Sequence, residues 1–278
     1  MKWRVREDKG FRRIIGPGDA GLRYLSFSRL ILESGNSWSG YTGAEEVAIV
    51  ILAGTCSISS GNIKFDDIGR RQNVFSGKPS LVYLPRRSSY RIDASCWSEA
   101  AVIGALSDKD TEPSLVNPED ARESEVGVLN WRRKVIMALG SDKLADKLLV
   151  GETLSLPGNW SSVPSHKHDR DEPPRECELE EIYFFKLMPT QGFGLQWIYS
   201  DPNDGGDRLN EAIVVEDDDL VAITRGYHPV VAGPGYRLYY LWAMAGRNRK
   251  YGRFAVDPRH AWLNACEPIV SGSLEGRI

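Results

Sequence analysis

Long apolar runs, clusters of basic residues and paired cysteines are all missing from this chain of 278 residues. No run of about 18 apolar residues occurs, so we expect no segment to span a membrane. The net charge is −3 and no long basic run is present. Nucleic acid and acidic membrane surfaces are therefore poor candidates as partners. The first residues are charged where a secretory signal needs an apolar core, so we expect a cytoplasmic protein.

Cysteine is scarce, and its spacing argues against small domains held together by disulfide bonds or by zinc. The four cysteines lie far apart and form no CxxC pair. This spacing indicates neither a disulfide framework nor a zinc ribbon. Hydrophobic residues make up 41% of the chain and charged residues 26%, as in folded soluble proteins. A chain of this length can bury a sizeable core without such cross-links.

Strand-like runs rich in Val, Ile, Leu and Tyr dominate both halves of the chain. The clearest are Arg23–Leu32, Glu46–Leu52, Ser80–Leu84, Ala100–Leu106, Leu148–Leu156, Glu181–Leu187, Phe193–Tyr199, Glu211–Val215, Asp219–Thr224 and Tyr236–Met244. Many short strands separated by Gly and Pro turns are typical of a sandwich or closed barrel. The helices that must connect parallel strands are missing. We therefore predict an all-β fold of two jelly-roll β-barrels in tandem, with little helix.

A polar, Pro-containing stretch separates the two halves. We predict three regions: a first barrel at 1–110, a connecting segment with a short helix at 111–145, and a second barrel at 146–278. Apolar residues recur at helical spacing in Asn130–Leu139 and Gly140 follows them, which predicts a helix there. Lys143–Leu149 is a weaker helical candidate.

The two halves also share a short pattern at the start of a strand. Glu45-Glu46-Val47 in the first half corresponds to Glu180-Glu181-Ile182 in the second. Hairpins and a turn before a late strand follow in both. This coarse repetition suggests an internal duplication.

Histidine is scarce too, and three of the four histidines fall in one region of the second half. His166 and His168 are separated by one residue, so on a strand both imidazoles face the same side and can point into a barrel. Glu181 at the start of the next apolar strand could add an oxygen ligand, and His228 after a Gly-containing turn could complete the set. The fourth histidine, His260, is not expected to be a ligand.

These four side chains predict one divalent metal ion. Imidazole and carboxylate ligands suit Zn, Fe and Mn alike, so the identity of the metal stays open. Three nitrogens and one oxygen leave coordination positions free for a substrate. Glu180 and Glu181 point to opposite faces of a strand, and the pattern alone does not decide which of them is the ligand.

The histidines belong to longer motifs that continue to the end of the second half. These are Gly158-Asn159-Trp160-Ser161-Ser162-x-Pro164-x-His166-Lys167-His168-Asp169, Glu180-Glu181-Ile182-Tyr183, Pro189-x-Gln191-Gly192-Phe193-Gly194-x-Gln196, Gly226-Tyr227-His228-Pro229, Pro234-Gly235-Tyr236 and Asp257-Pro258-x-His260-Ala261-Trp262. Their arrangement resembles the two-part metal motif of the cupins. More closely, they are similar to 5-deoxy-glucuronate isomerase of bacterial inositol catabolism. The resemblance covers nearly the whole chain and is densest from Leu149 to Trp262.

The resemblance implies cupin-type barrels, of which only the second holds metal, because the first lacks ligand histidines. It favours Glu181 as the ligand, since the family's glutamate directly precedes an aliphatic–aromatic pair, here Ile182-Tyr183; Glu180 is the alternative. Two departures stand out. Twelve residues separate His168 from Glu181, more than in a common cupin. Trp197 stands where the family usually has a basic residue, which could alter the substrate preference.

The implied reaction converts 5-deoxy-D-glucuronate to 5-dehydro-2-deoxy-D-gluconate through an enediol. The metal would stabilise the developing charge, a side chain must move a proton between C2 and C1, and a cation must hold the carboxylate of the sugar acid. We predict Tyr183 as a catalytic residue. The predicted substrate-binding residues are Gln196, Tyr227 and Tyr239. Lys167 and Arg225 are the cations nearest in sequence, although we expect Lys167 to be solvated.

Three other functions remain open at this point. The chain could isomerise another uronate, such as 5-keto-4-deoxyuronate, or it could be a cupin dioxygenase. It could also bind a sugar acid without turning it over. The exposed strand edges of two barrels make a homo-oligomer plausible, with a dimer the simplest form.

Overall fold

The computed structural model describes residues 1–5, 8–201 and 207–274. Antiparallel strands make up most of the described chain, and the predicted all-β fold is confirmed. The strands up to residue 116 are β1 Lys2–Arg4, β2 Gly10–Ile15, β3 Leu25–Leu32, β4 Ser37–Tyr41, β5 Glu45–Ser60, β6 Ile63–Arg71, β7 Ser80–Leu84, β8 Ser89–Ala94, β9 Ser98–Leu106 and β10 Ser114–Val116.

The second half continues with short strands and ends in a helix. Its strands are β11 Arg122–Val126, β12 Arg133–Leu139, β13 Leu149–Ser155, β14 Trp160–Ser161, β15 His166–Lys167, β16 Glu180–Met188, β17 Phe193–Tyr199, β18 Asn210–Glu216, β19 Asp219–Ile223, β20 Val230–Ala232, β21 Arg237–Ala245 and β22 Ala255–Val256. The helix, α1, runs over Trp262–Leu274, and 3₁₀ turns lie at Asp19–Gly21 and Leu129–Trp131.

The strands form four sheets. In the first half, β10-β7-β5-β9-β3-β2 lie side by side, and β6 and β8 join the same sheet through the long strand β5, with β4 paired to β8. The second half has a seven-stranded sheet, β1-β19-β16-β21-β13-β12-β11, and a four-stranded sheet, β14-β20-β17-β18. A two-stranded sheet pairs β15 with β22. The first strand of the chain therefore belongs to a sheet of the second half.

Three apolar cores hold these sheets together. One lies within the first half, one within the second, and the third lies where the two large sheets pack face to face. In the third core, the rings of Phe27 and Phe184 are 5.1 Å apart. The continuous apolar run of strand β5, residues 47–53, is buried on both faces. Successive side chains of a strand point to opposite faces, so Ala48 and Val50 enter the shared core while Ile49 and Ile51 enter the core of the first half.

Two buried glutamates join the halves in a reciprocal way. Glu46 accepts hydrogen bonds from the backbone N–H groups of the three residues before β13, at 2.6–2.7 Å. Glu180 accepts three from the N–H groups of Arg23, Tyr24 and Leu25 at the start of β3, also at 2.6–2.7 Å. Each carboxylate thus anchors a strand of the opposite half. Each Glu-Glu pair therefore supplies one such anchor, which is the second glutamate in the first half and the first glutamate in the second half.

The helix predicted at residues 130–139 is wrong. The chain makes a 3₁₀ turn at Leu129–Trp131 and then forms strand β12, which pairs with β11 and β13. The apolar residues of this stretch fit either period, and β-branched Val135 and Ile136 favour the extended form once neighbouring strands are available. The weaker helix at Lys143–Leu149 is also wrong, since turns precede β13 there.

The predicted connecting segment contains paired strands. Its first strand, β10, pairs with β7 of the first half, whereas β11 and β12 belong to the seven-stranded sheet of the second half. The helix α1 was not predicted from the sequence. Within the described ranges, no helix is long and apolar enough to cross a lipid bilayer.

Candidate metal centre and its cavity

The three histidines predicted as ligands are each oriented by a backbone carbonyl. The Nδ1 atoms of His166, His168 and His228 lie 3.1, 2.6 and 2.9 Å from the carbonyl oxygens of Pro164, Leu179 and Gly226. A carbonyl oxygen only accepts hydrogen bonds, so each Nδ1 must carry the proton. In the neutral ring, Nε2 is then left with a free lone pair, which is the form of histidine that binds metals.

Glu181 lies between two of these rings. Its Oε2 atom is 3.1 Å from His168 Nε2 and 3.3 Å from His228 Nε2. His228 Nε2 is buried and has no hydrogen-bond partner among the described residues. Two lone pairs that face a carboxylate at this distance need a proton or a cation between them. The donor set and the orphaned nitrogen therefore fit a divalent metal ion.

His166 stands beside this group. The ligand atoms of His168, Glu181 and His228 all lie within 4.8 Å of one another, and the His166 ring centroid is 5.2 Å from that of His228. The ring of His166 stacks on Phe254 at 4.9 Å with an interplanar angle of 11°. It lines the adjoining cavity and approaches the group from that side.

Burial and mutual contact perturb the ionisation of the group. Burial alone would raise the pKa of Glu181, but the close imidazoles of His168 and then His228 lower it to about 2. Burial, followed by the proximity of His228 and His168, lowers the pKa of His166 to about 3. At neutral pH the site therefore offers an ionised carboxylate and a neutral His166 ring, as metal binding requires.

The side chains of the two adjacent glutamates face different parts of the molecule. Glu181 faces the histidines, whereas Glu180 faces the first half and is saturated by backbone N–H groups. Glu180 is thus occupied elsewhere, and the geometry leaves Glu181 as the candidate ligand.

Lys167 points away from its flanking histidines as expected, but the expectation that it is solvated is wrong. Its side chain is buried and forms ion pairs with Asp169 and Glu176. The second oxygen of Asp169 accepts a hydrogen bond of 2.6 Å from the N–H of Gly226, two residues before His228. The acidic stretch between His168 and Glu181 therefore braces the turn that carries His228.

A cavity of about 500 Å³ opens beside the histidines, which is within the usual range for small-molecule sites. Its floor is one face of the seven-stranded sheet, and α1 contributes Asn264 and Glu267 to its wall. Tyr183 lies on this floor and its hydroxyl is 3.1 Å from Ser162 Oγ. Burial, and next the charge of Glu181, raise the pKa of Tyr183 well above its usual value, so the hydroxyl keeps its proton.

The three predicted substrate-binding residues do not line this cavity. Gln196 is fully buried and donates to the backbone carbonyls of His228 (2.7 Å) and Pro229 (3.2 Å), so it supports the His228 turn. Tyr227 packs its ring against Tyr199 at 5.1 Å. Tyr239 points to the other face of β21, where its hydroxyl donates to Glu152 at 2.7 Å within the core shared by the halves.

Several cavity residues were missed by sequence reasoning. The ring of Tyr240 packs against that of Tyr183, tilted by 32° with centroids 4.3 Å apart, and its hydroxyl is hydrogen-bonded to Ser161. Arg133 lines the cavity from β12 and was missed because that stretch was interpreted as a helix. Trp197 lies outside the cavity lining, where it stacks on Tyr199 at 3.9 Å. The alternation of side chains along β21 could have indicated Tyr240, because Tyr239 and Tyr240 must face opposite sides.

Comparison with known proteins places this site in a family. The sequence profile of the KduI/IolB family matches residues 4–263. The chain belongs to the KduI/IolB family. Among relatives of this family, 5-deoxy-glucuronate isomerase of Halalkalibacterium halodurans is 37% identical over 247 residues, which cover 88% of this chain and 90% of the relative. The protein of the same name from Geobacillus kaustophilus is 38% identical, covering 90% and 89% of the two chains.

Solved structures agree with this assignment. An IolB-like protein from Salmonella typhimurium LT2 superposes with a TM-score of 0.89 at 34% identity, covering 95% of this chain and 98% of that one. Oxalate decarboxylase of Lactobacillus farciminis superposes with a TM-score of 0.67 at 12% identity, covering 98% and 92%. At that identity the second likeness concerns the fold alone, and it confirms the cupin fold.

Proposed function

We propose that this protein is a metal-dependent 5-deoxy-glucuronate isomerase, an aldose–ketose isomerase of inositol catabolism. One observation carries the proposal: a buried group of histidines around a carboxylate opens onto a small-molecule cavity, in a chain that matches relatives of this activity over about nine-tenths of its length. The substrate class is a sugar acid. The four cysteines are free, which fits the reducing cytoplasm where such catabolism takes place.

The metal would be held by His168, Glu181 and His228, with His166 as the fourth ligand from the cavity side. A divalent cation bound there would supply Lewis-acid polarisation of the sugar's carbonyl and hydroxyl oxygens, which makes the proton at C2 more acidic. The donor set suits Zn, Fe and Mn alike. The hydrogen bonds from Nδ1 to backbone carbonyls keep the rings in the orientation that this requires.

We assign to Tyr183 the role of stabilising the negative charge that develops on a substrate oxygen. It lies two residues after Glu181 on β16, so both side chains face the cavity. Because its hydroxyl stays protonated, it can donate a hydrogen bond to the oxygen on which charge develops as C2 loses its proton. Tyr240 and the two serines at positions 161 and 162 provide further hydroxyl groups for the sugar.

Product analysis tests the proposed activity against its alternatives. The purified protein is incubated separately with 5-deoxy-glucuronate and with 5-keto-4-deoxyuronate, and the products are identified by NMR while dissolved oxygen is recorded. We expect 5-dehydro-2-deoxy-gluconate from the first substrate and constant oxygen. Turnover of only the second substrate would reassign the substrate, oxygen consumption would indicate a dioxygenase, and binding without turnover would indicate a sugar-acid sensor.

A further inference from the structure

Arg133 is an unusual arginine of this fold. It lies at the start of β12 and lines the same cavity as Tyr183 and His166. Its Nη1 atom donates to the carbonyl oxygens of Trp131 and Val163, both at 3.1 Å. These two hydrogen bonds fix one edge of the guanidinium and leave its Nε side for another partner.

On that remaining side, the Nε atom has no partner among the residues that the structure describes. The Nε atom of Arg133 is buried and makes no hydrogen bond within the described ranges. Among the described residues, no carboxylate lies within ion-pair distance of the Arg133 guanidinium. Burial lowers the pKa of Arg133, although an arginine stays charged at neutral pH. Glu267, which lines the same cavity, acts on Arg133 through its charge but forms no ion pair with it. The described residues therefore leave this desolvated positive charge without an ion-paired carboxylate.

The other buried arginines show how this fold normally treats such a charge. Arg29 is paired with Glu99 at 2.7 Å and with Asp218 at 2.9 Å. Arg71 forms a bidentate ion pair with Glu152, with hydrogen bonds of 2.7 and 3.0 Å. Arg249, which is partly buried, forms no ion pair with a described carboxylate, but all three of its side-chain nitrogens donate to backbone carbonyls. Arg133 differs from all three, because no described residue accepts a hydrogen bond from its buried Nε atom.

The neighbouring cations are less suited to hold an anion in this cavity. Lys167 is already neutralised by Asp169 and Glu176. Arg225 is exposed and does not line the cavity. Arg122 lines its rim, but its side chain is 78% exposed and pairs with Asp142, so water screens its charge.

We propose that Arg133 binds the carboxylate of the sugar acid and thereby decides that this enzyme takes acids and not neutral sugars. The inference rests on the proposed function. The carboxylate of a hexuronate is at C6, whereas the reacting carbons are C1 and C2. A carboxylate held at Arg133 therefore fixes which end of the chain reaches the histidines. The planar guanidinium matches a carboxylate geometrically, and because no described carboxylate forms an ion pair with it, it is available to the substrate.

The test compares the sugar acid with its neutral counterpart, in which CH₂OH replaces the carboxylate. For the wild type we expect a strong preference in kcat/KM for the acid. In Arg133→Met, kcat/KM for the acid should fall at least about 30-fold, the lower end of the effect of removing one partner of a buried charge pair. The value for the neutral sugar should change little. Arg133→Lys keeps the charge but not the planar fork, so it should retain part of the preference.

Arg132→Met is the matched control. Arg132 is adjacent, its side chain is 58% exposed, and it pairs with Glu125 outside the cavity, so its removal should leave the preference unchanged. Thermal melting of each variant separates misfolding from loss of recognition. Equal losses on both sugars in folded Arg133→Met and Arg133→Lys, or an unchanged preference, would overturn the inference.

The proposed function can fail separately. If the wild type turns over neither sugar, the isomerase assignment fails, and calorimetric titration with the sugar acid then decides the role of Arg133. Binding that the wild type shows and folded Arg133→Met lacks would support the inference. Equal binding by both, or binding by neither, would overturn it.

Discussion

Glu180 and Glu181 are adjacent, but replacing each by glutamine should have a different effect. One substitution should remove the metal, and the other should lower the stability of the fold. Glu181→Gln removes the carboxylate charge that faces His168 and His228 at 3.1 and 3.3 Å. A neutral amide is a poor ligand for a divalent transition metal compared with a carboxylate. We therefore expect at least a tenfold loss of metal affinity and a matching loss of isomerase activity, the range seen when the coordination of such sites is disturbed.

Glu180→Gln should weaken the fold and leave the metal in place. One oxygen of Glu180 accepts from Tyr24 and Leu25 and the other accepts from Arg23. Glutamine can keep the first two hydrogen bonds in neutral form, but its NH₂ group then faces the N–H of Arg23. Losing one charge-assisted hydrogen bond and weakening two others costs about 2–4 kcal/mol. For a chain of this size, that corresponds to a fall in Tm of about 4–8 °C.

The assay measures metal content, Tm and kcat/KM for both variants in parallel. We expect Glu181→Gln to lose bound metal and activity. Glu180→Gln should have a lower Tm, while the protein that remains folded keeps full metal occupancy. Loss of metal in Glu180→Gln together with full occupancy in Glu181→Gln would refute the assignment of the two carboxylates.

Three further substitutions test other parts of the structure. Glu46→Gln should lower Tm by an amount similar to Glu180→Gln without changing metal content, because both carboxylates accept three backbone N–H groups of the opposite half. Tyr183→Phe should lower kcat by about 100-fold or more, the usual effect of removing one hydrogen-bond donor to a developing charge, with metal content unchanged by elemental analysis. Asp217→Asn should stabilise the protein at pH 7.5 but not at pH 4, as followed by melting curves. Burial raises the pKa of Asp217 to about 6, so its ionisation costs stability as the pH rises through that value, and the amide can still accept from Leu187 N–H. Stabilisation that is equal at both pH values would contradict this reasoning.

The strands were predictable from sequence because their periodicity is strong. Ser80–Leu84 and Phe193–Tyr199 are found at the predicted bounds. The stretch at 130–139 was not, because its apolar residues fit a helix as well as a strand and only the pairing with β11 and β13 decides. Pairing between residues distant in sequence also places β1 in a sheet of the second half.

Some residues of the candidate site were likewise predictable from the sequence, and others were not. The metal-ligand prediction depended on spacing and residue type, and the structure brings His168, Glu181 and His228 together with His166 beside them. The choice between Glu180 and Glu181 needed the backbone groups of the first half, which no local pattern reveals. The substrate-binding residues were the weakest predictions. Neighbours in sequence such as Tyr239 and Tyr240 serve different sides of a strand, and Arg133 comes from a strand that was not recognised.

Metal content measured alongside activity tests the central claim most directly. The purified protein is analysed for Zn, Fe and Mn, stripped with a chelator, assayed with 5-deoxy-glucuronate, and assayed again after each metal is restored. We predict about one divalent ion per chain, loss of isomerase activity on stripping, and recovery with at least one of the three metals. Full isomerase activity in protein shown to be free of metal would contradict the account.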